Sequence, residues 1–323
     1  MAANNSVTGD DLWYIHVRFT ILQVLLVFFI STNLLLIITF FKKEYFYTTA
    51  RYILFAITLL SDSFLLFLSN IQLILLHFRF PIQVWLCIII SVVVILYLTV
   101  TPVTLTVMTL ERYVAICMPL RHGELCSTRS TMHCILIIHG LSSVPCILIL
   151  STIFVSASLS FYKQYQICLV EFIFVDAWQH NFRAGIYQVQ FLIMCIIVIF
   201  CYVKIMKVAK AASGEDKKST KKGLRTVLLH CFQLLLCLIQ MWCPLVESSL
   251  LQINVSLYEI VRYINFILFY LAPRCLSPLI YGLRDEVFFH AMKHYASFGF
   301  SVLVFELCVH SSQTSSSRNL EID

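Results

Sequence analysis

Long stretches without Lys, Arg, Asp or Glu alternate along the chain with short polar segments. They run from Phe19 to Phe41, Phe80 to Leu110, Ser130 to Tyr162, Ala184 to Val203 and Thr226 to Val246. Two more, Tyr52 to Leu76 and Tyr263 to Leu283, are each broken by one charge, Asp62 and Arg274. A bilayer core about 30 Å thick needs about 20 apolar residues as helix. Each run can meet that length, so the pattern predicts an all-α membrane protein with a seven-transmembrane helix bundle. A membrane barrel would show short alternating segments instead. The implied layout is a tail over 1–18, the bundle over 19–283, a short amphipathic helix over 284–297 and a second tail over 298–323. In the short helix Val287, Phe288, Ala291 and Tyr295 share one face, which suits the membrane surface. The stretch Phe298 to Val309 is apolar but too short to span.

Composition supports lipid as the solvent. Of 323 residues, 60% are hydrophobic and 12% charged, against about 25% charged in soluble domains. That disfavours a soluble enzyme and excludes a disordered chain. The net charge of +6 would suit nucleic acid, but the basic residues lie between apolar runs and read as topology signals. Alternate connecting segments hold seventeen Lys and Arg, eight of them from Lys204 to Arg225. The opposite segments hold five: Arg18, Arg79, Lys163, Arg183 and Arg262. Basic residues stay in the cytoplasm, so the N-terminus is expected outside and the C-terminus inside. The first run is too long for a signal-peptide core, so the first helix is expected to serve as the uncleaved targeting signal. Asn4-Asn5-Ser6 and Asn254-Val255-Ser256 are glycosylation sequons. Asn4, on the outer tail, is the expected acceptor, and Asn254 lies too near the bilayer.

Little in the chain resembles enzyme chemistry. The 8 glycines form no phosphate-cradling loop. There is no His-Glu-x-x-His or Cys-x-x-Cys pair, and His133, His139 and His230 are scattered. Most of the 13 cysteines sit inside apolar runs, where Cys packs as a small hydrophobe. No catalytic residue, metal or cofactor is expected.

The most informative segment is Met108 to His122, Met-Thr-Leu-Glu-Arg-Tyr-Val-Ala-Ile-Cys-Met-Pro-Leu-Arg-His, where the third run ends. Glu111 and Arg112 stand at a membrane boundary, and charges there default to a functional reading. This segment resembles the signature of rhodopsin-like G-protein-coupled receptors, and within them the vertebrate odorant receptors. Glu111, and the stretch Pro-Arg-Cys-Leu-Ser-Pro-Leu-Ile-Tyr at 273–281, are most similar to the fish type. Asn33, Leu60-Ser61-Asp62, Tyr202 and the segment from Lys222 to His230 extend the resemblance over about 33–286. The chain departs from the family in three places, one being that the second outer loop holds only Cys168, without the extra cysteines of mammalian odorant receptors. Ser277-Pro278 stands where Asn-Pro is usual, and Trp242-Cys243-Pro244 replaces Cys-Trp-x-Pro.

The resemblance implies a plasma-membrane receptor. A small-molecule odorant would enter among the outer halves of the helices. A heterotrimeric G protein of the stimulatory, olfactory type would then couple inside and raise cyclic AMP. It assigns coupling to Glu111, Arg112, Tyr113 and Tyr202, with Glu111 holding Arg112 at rest. The activation switch falls on Asn33, Asp62, Arg274, Ser277, Pro278 and Tyr281. The family pairs the positions of Cys87 and Cys168 as a disulfide. Thr99 lies thirteen residues before Arg112, about 20 Å up the helix, and shares a face with Ile95 and Leu98. By family position Tyr187, Gln190, Met241 and Tyr270 face them as the pocket. A sodium ion often binds at the second-span Asp in this family. Here an ion pair between Asp62 and Arg274 is expected to supply that positive charge, because an unpaired buried charge is strongly destabilising. A non-olfactory receptor of the same superfamily is one alternative. A secondary transporter is another, though it would predict repeats and several midplane charges.

Overall fold

The computed structural model describes residues 9–42, 44–212 and 217–276. Helix α1 spans Gly9–Phe41, a one-turn α2 spans Glu44–Tyr47, and α3 spans Ala50–His77. After strand β1, Pro81–Gln83, come α4 (Val84–Cys117), α5 (Pro119–Leu125) and α6 (Thr128–Ser156). A short α7 (Leu159–Tyr162) leads into strand β2, Tyr165–Ile167, and a 3-10 turn over Val170–Ile173. Helices α8 (Ala177–Ala212), α9 (Lys217–Gln240), α10 (Cys243–Ile253) and α11 (Val255–Asn265) follow. The last runs on through a π-helical turn, Phe266–Leu271, to Leu276.

Six helices among the described residues are long and apolar enough to cross a membrane. Helices dominate because lipid offers the backbone no hydrogen-bond partner, so each segment must satisfy its own N–H and C=O groups. The apolar stretch Cys231–Glu247 is shorter, and the helical chain breaks within it at Met241 and Trp242, ahead of Pro244. Proline removes a backbone donor and its ring crowds the preceding turn. Large side chains such as Val24, Phe28, Leu136, Ile147 and Ile196 are exposed, which suits helices bathed in lipid rather than water.

Helix α4 runs through the middle of the bundle and packs against α3, α6, α8 and α9, while α1 lies on α3. Its interior holds Pro102 and several threonines. Thr104, Thr106 and Thr109 each donate to the carbonyl four residues back, at 2.7, 2.8 and 3.0 Å. Polar side chains are thereby buried without an unsatisfied hydroxyl. One core cluster joins Leu36, Phe55, Leu59, Leu105, Met108, Tyr187, Met194, Leu238 and Met241. A second gathers around Cys87, Ile95, Cys146, Ile149 and Cys168.

Several boundaries differ from those the hydropathy pattern predicts. Helix α1 begins at Gly9, inside the segment read as a tail. The fourth run, expected to continue to Tyr162, ends as helix at Ser156, where Ala157 turns extended. Ser156, Ala157 and Ser158 are small residues without charge, so a count of charges passes over them. The last helix starts at Val255, eight residues before its apolar run, because Glu259 and Arg262 are carried on an amphipathic first half. The two strands also qualify the all-α expectation. They pair antiparallel, with Ile82 opposite Gln166, and are only three residues each. The segment 284–297 expected to form a surface helix, with Val287, Phe288, Ala291 and Tyr295, and the stretch 298–309 lie outside the described residues.

Candidate functional site

At one end of α4 the chain forms a compact polar clamp. The helix stops at Cys117, and Pro119 opens α5 as its first residue, a position where the missing N–H is harmless. The short α5 folds back so that His122 meets the preceding helix. Glu111 is buried between two nitrogen groups: Arg112 Nε lies 3.6 Å from Oε2 and His122 Nε2 lies 3.3 Å from Oε1. The Tyr113 ring stands 5.7 Å from Phe200 of α8, and Lys204 Nζ stands 5.8 Å over that same Phe200 ring. Tyr202 is half-buried against the main core cluster.

Midway along the bundle lies a second polar cluster. Arg274 and Asp62 are both buried, with Nε 3.5 Å from Oδ1. Thr101 donates to the same Oδ1 at 2.8 Å. The guanidinium stacks 4.3 Å over the Tyr270 ring, bonds the Tyr270 carbonyl, and reaches Gln240 Oε1 at 3.4 Å. The Tyr270 hydroxyl in turn bonds Ser69 of α3. The guanidinium and the carboxylate together therefore tie α3, α4, α9 and the last helix to one another. A cation at Asp62 would face this like charge at close range, so the residues present do not fit a sodium ion. Asn33 of α1 is buried with both side-chain polar atoms lacking a hydrogen-bond partner. Ser277, Pro278 and Tyr281 lie outside the described residues.

At the other end of α4, Cys87 is bonded to Cys168, their Cα atoms 5.3 Å apart. Gln72 of α3 donates to Ser91 at 3.1 Å and contacts Cys168 Sγ at 3.8 Å. The loop after β2 is also held to the last helix, because Arg262 Nη2 lies 3.4 Å from Glu171 Oε2. Burial pushes the Glu171 carboxyl up, but Arg262 and then Arg183 more than offset it and hold it below the ordinary value. Asn265 donates to Glu247 at 2.9 Å, and the Arg183 guanidinium sits 4.9 Å from the centre of the Phe174 ring.

The residues read as a pocket do not all share one cluster, and Tyr270 belongs to the Arg274 cluster. Tyr187 and Met241 share the main core cluster, whereas Ile95 belongs to the disulfide-end cluster and Leu98 is half-buried. Thr99 donates to Leu96 O at 2.8 Å and to Ser142 O of α6 at 3.2 Å, so its hydroxyl lies in the α4–α6 contact. Gln190 has a buried Oε1 without a partner. Asn4 lies outside the described residues. Asn254 caps α11, its side chain accepting from Leu257 N at 3.1 Å.

Sequence reading missed His122 as a partner of Glu111, although His122 closes the quoted segment. It also missed Ser69 and Gln240, neutral residues whose role shows only once Tyr270 and Arg274 are placed. Arg183 and Arg262 read as topology signals because charge counting along the chain ignores burial.

A sequence model of the family described as "7 transmembrane receptor (rhodopsin family)" matches residues 32–281. Odorant receptor 131-2 of Danio rerio is 43% identical over 281 residues, covering 87% of this chain and 86% of the relative. The range matched by the family model, 32–281, spans the positions of the disulfide, the Asp62–Arg274 pair and the Glu111 clamp. The chain belongs to the rhodopsin family of seven-transmembrane receptors, a family of receptors rather than enzymes, and within it to the odorant receptors of the fish type.

Proposed function

We propose that this chain is an odorant-activated receptor of the plasma membrane. Its N-terminus and disulfide end face outward, and its Glu111 end faces the cytoplasm. The stretch from Cys231 through α10 serves as the sixth of seven spans, with the break at Trp242 bending it. A small odorant binds in the disulfide half among Ile95, Leu98, Tyr187, Gln190, Met241 and Tyr270. Thr99 acts on this pocket through the α4–α6 contact. A stimulatory heterotrimeric G protein of the olfactory type binds at Glu111, Arg112, Tyr113 and Tyr202.

The carrying observation is the clamp on Glu111. A buried carboxylate between Arg112 and His122 keeps the arginine occupied within its own chain. Binding of a G protein that offers Arg112 a better partner releases it. Ligand and G protein then favour the same helix arrangement, and each raises the other's affinity. The Asp62–Arg274 cluster lies between the two sites and supports a role as the switch, together with Asn33, Ser277, Pro278 and Tyr281. Tyr270 belongs to the proposed pocket and touches Arg274 directly.

The test is a cyclic AMP reporter in cells expressing the chain, challenged with mixed odorants. A rise that requires Arg112 supports the reading. Solute flux without any cyclic AMP response argues for transport and against it.

A further inference from the structure

Arg183 is counted among topology charges by its place in the sequence, yet it is only 5% exposed. Its Nε is buried without a hydrogen-bond partner, and its guanidinium rests on the Phe174 ring. Glu171 and Glu247 lie near enough to act on it electrostatically, but among the described residues neither is bonded to it. Glu171 is in ion-pair contact with Arg262 and Glu247 accepts from Asn265. A buried cation lacking a directly bonded anion is costly to hold, so the position reads as prepared for one. Along α8, Arg183, Tyr187 and Gln190 follow at helical spacing on one face. Tyr187 is buried, and Gln190 Oε1 is a second buried atom with no partner. The two unpartnered groups belong to residues seven apart, about 10 Å along the helix.

We infer that Arg183 anchors an anionic ligand, an amphiphile whose carboxylate or sulfate sits on the guanidinium. Its apolar body passes Tyr187, and a polar group about 10 Å from the head reaches Gln190. The anion completes the buried guanidinium's hydrogen bonds, and charge-assisted bonds of this kind are the strong ones. The inference rests on the receptor reading above and specifies its ligand class.

The test uses full-length receptor at the surface of cells carrying a cyclic AMP reporter. The probes are octanoate, 8-hydroxyoctanoate, octyl sulfate and the neutral methyl octanoate. In the unmodified receptor the hydroxy acid should act at a concentration at least about tenfold below the ester. Octanoate against octyl sulfate then tells which anion is preferred. Arg183→Gln should raise the effective concentration of the anions about tenfold and leave the ester unchanged, while Arg183→Lys recovers part of the loss. Gln190→Leu should remove the advantage of 8-hydroxyoctanoate over octanoate. Equal potency of ester and acids overturns the anion site, and that comparison needs no variant. A parallel shift of ester and anions in Arg183→Gln, with surface level intact, overturns it too. A receptor that answers a general odorant mixture but no anionic probe overturns this inference alone. One that answers nothing at normal surface level overturns the receptor reading and this inference with it.

Discussion

Two buried carboxylates, Glu111 and Asp62, carry most of the chemistry proposed for this chain, and each is held differently. Glu111 touches two basic side chains, Arg112, its sequence neighbour, and His122, eleven residues on. Glu111→Gln weakens both contacts and should raise signalling without ligand. Arg112→Ala should abolish signalling at unchanged surface level. His122→Ala leaves the Arg112 contact and should raise basal signalling less than Glu111→Gln does. A cyclic AMP assay with surface counting separates these outcomes, and equal basal activity in all variants would contradict the clamp. Asp62 and Arg274 face the opposite problem, because either alone is a charge in an apolar bundle. Removing one partner should destabilise the receptor by about 3–5 kcal/mol, and Asp62→Asn with Arg274→Gln should recover part of that. Thermal unfolding of purified variants gives the cycle, and plain additivity would contradict the pair.

The helices differ in how much of them the sequence made legible. Continuous apolar runs located the membrane helices, because lipid forces long uncharged segments. Their ends were less legible. Glu259 and Arg262 end an apolar run, yet they sit inside α11 because its other face is apolar. The pairing of β1 with β2 rests on three residues each, too short to show alternation. The signature around Arg112 was legible as a contiguous string, whereas the roles of Ser69, Gln240 and His122 depend on contacts between distant segments. The loop clasp Glu171–Arg262 belongs to this second kind and has a pH signature. A carboxyl whose folded value is depressed contributes stability above its unfolded value of 4.5, and loses it as pH falls through the lower folded value. Unfolding temperature should therefore be steady from neutral pH down to about 5, then drop more steeply in the unmodified receptor than in Glu171→Gln. Identical acid profiles would contradict the clasp.

At the scale of the whole molecule, the proposed orientation puts the disulfide end outward and the Glu111 end in the cytoplasm. The distribution of Lys and Arg supports that orientation. A tag at the N-terminus should be labelled on intact cells and one at the C-terminus only after permeabilisation; the reverse would contradict it. Between the two ends, Tyr270, Arg274 and Asp62 form a continuous contact from the proposed pocket toward α4. Coupling through such a chain requires that ligand and G protein favour the same arrangement. The most direct measurement is the cyclic AMP response to mixed odorants of cells expressing the unmodified receptor or Arg112→Ala at matched surface level. The account predicts a ligand-dependent rise in the first and none in the second. A full response from Arg112→Ala would contradict it.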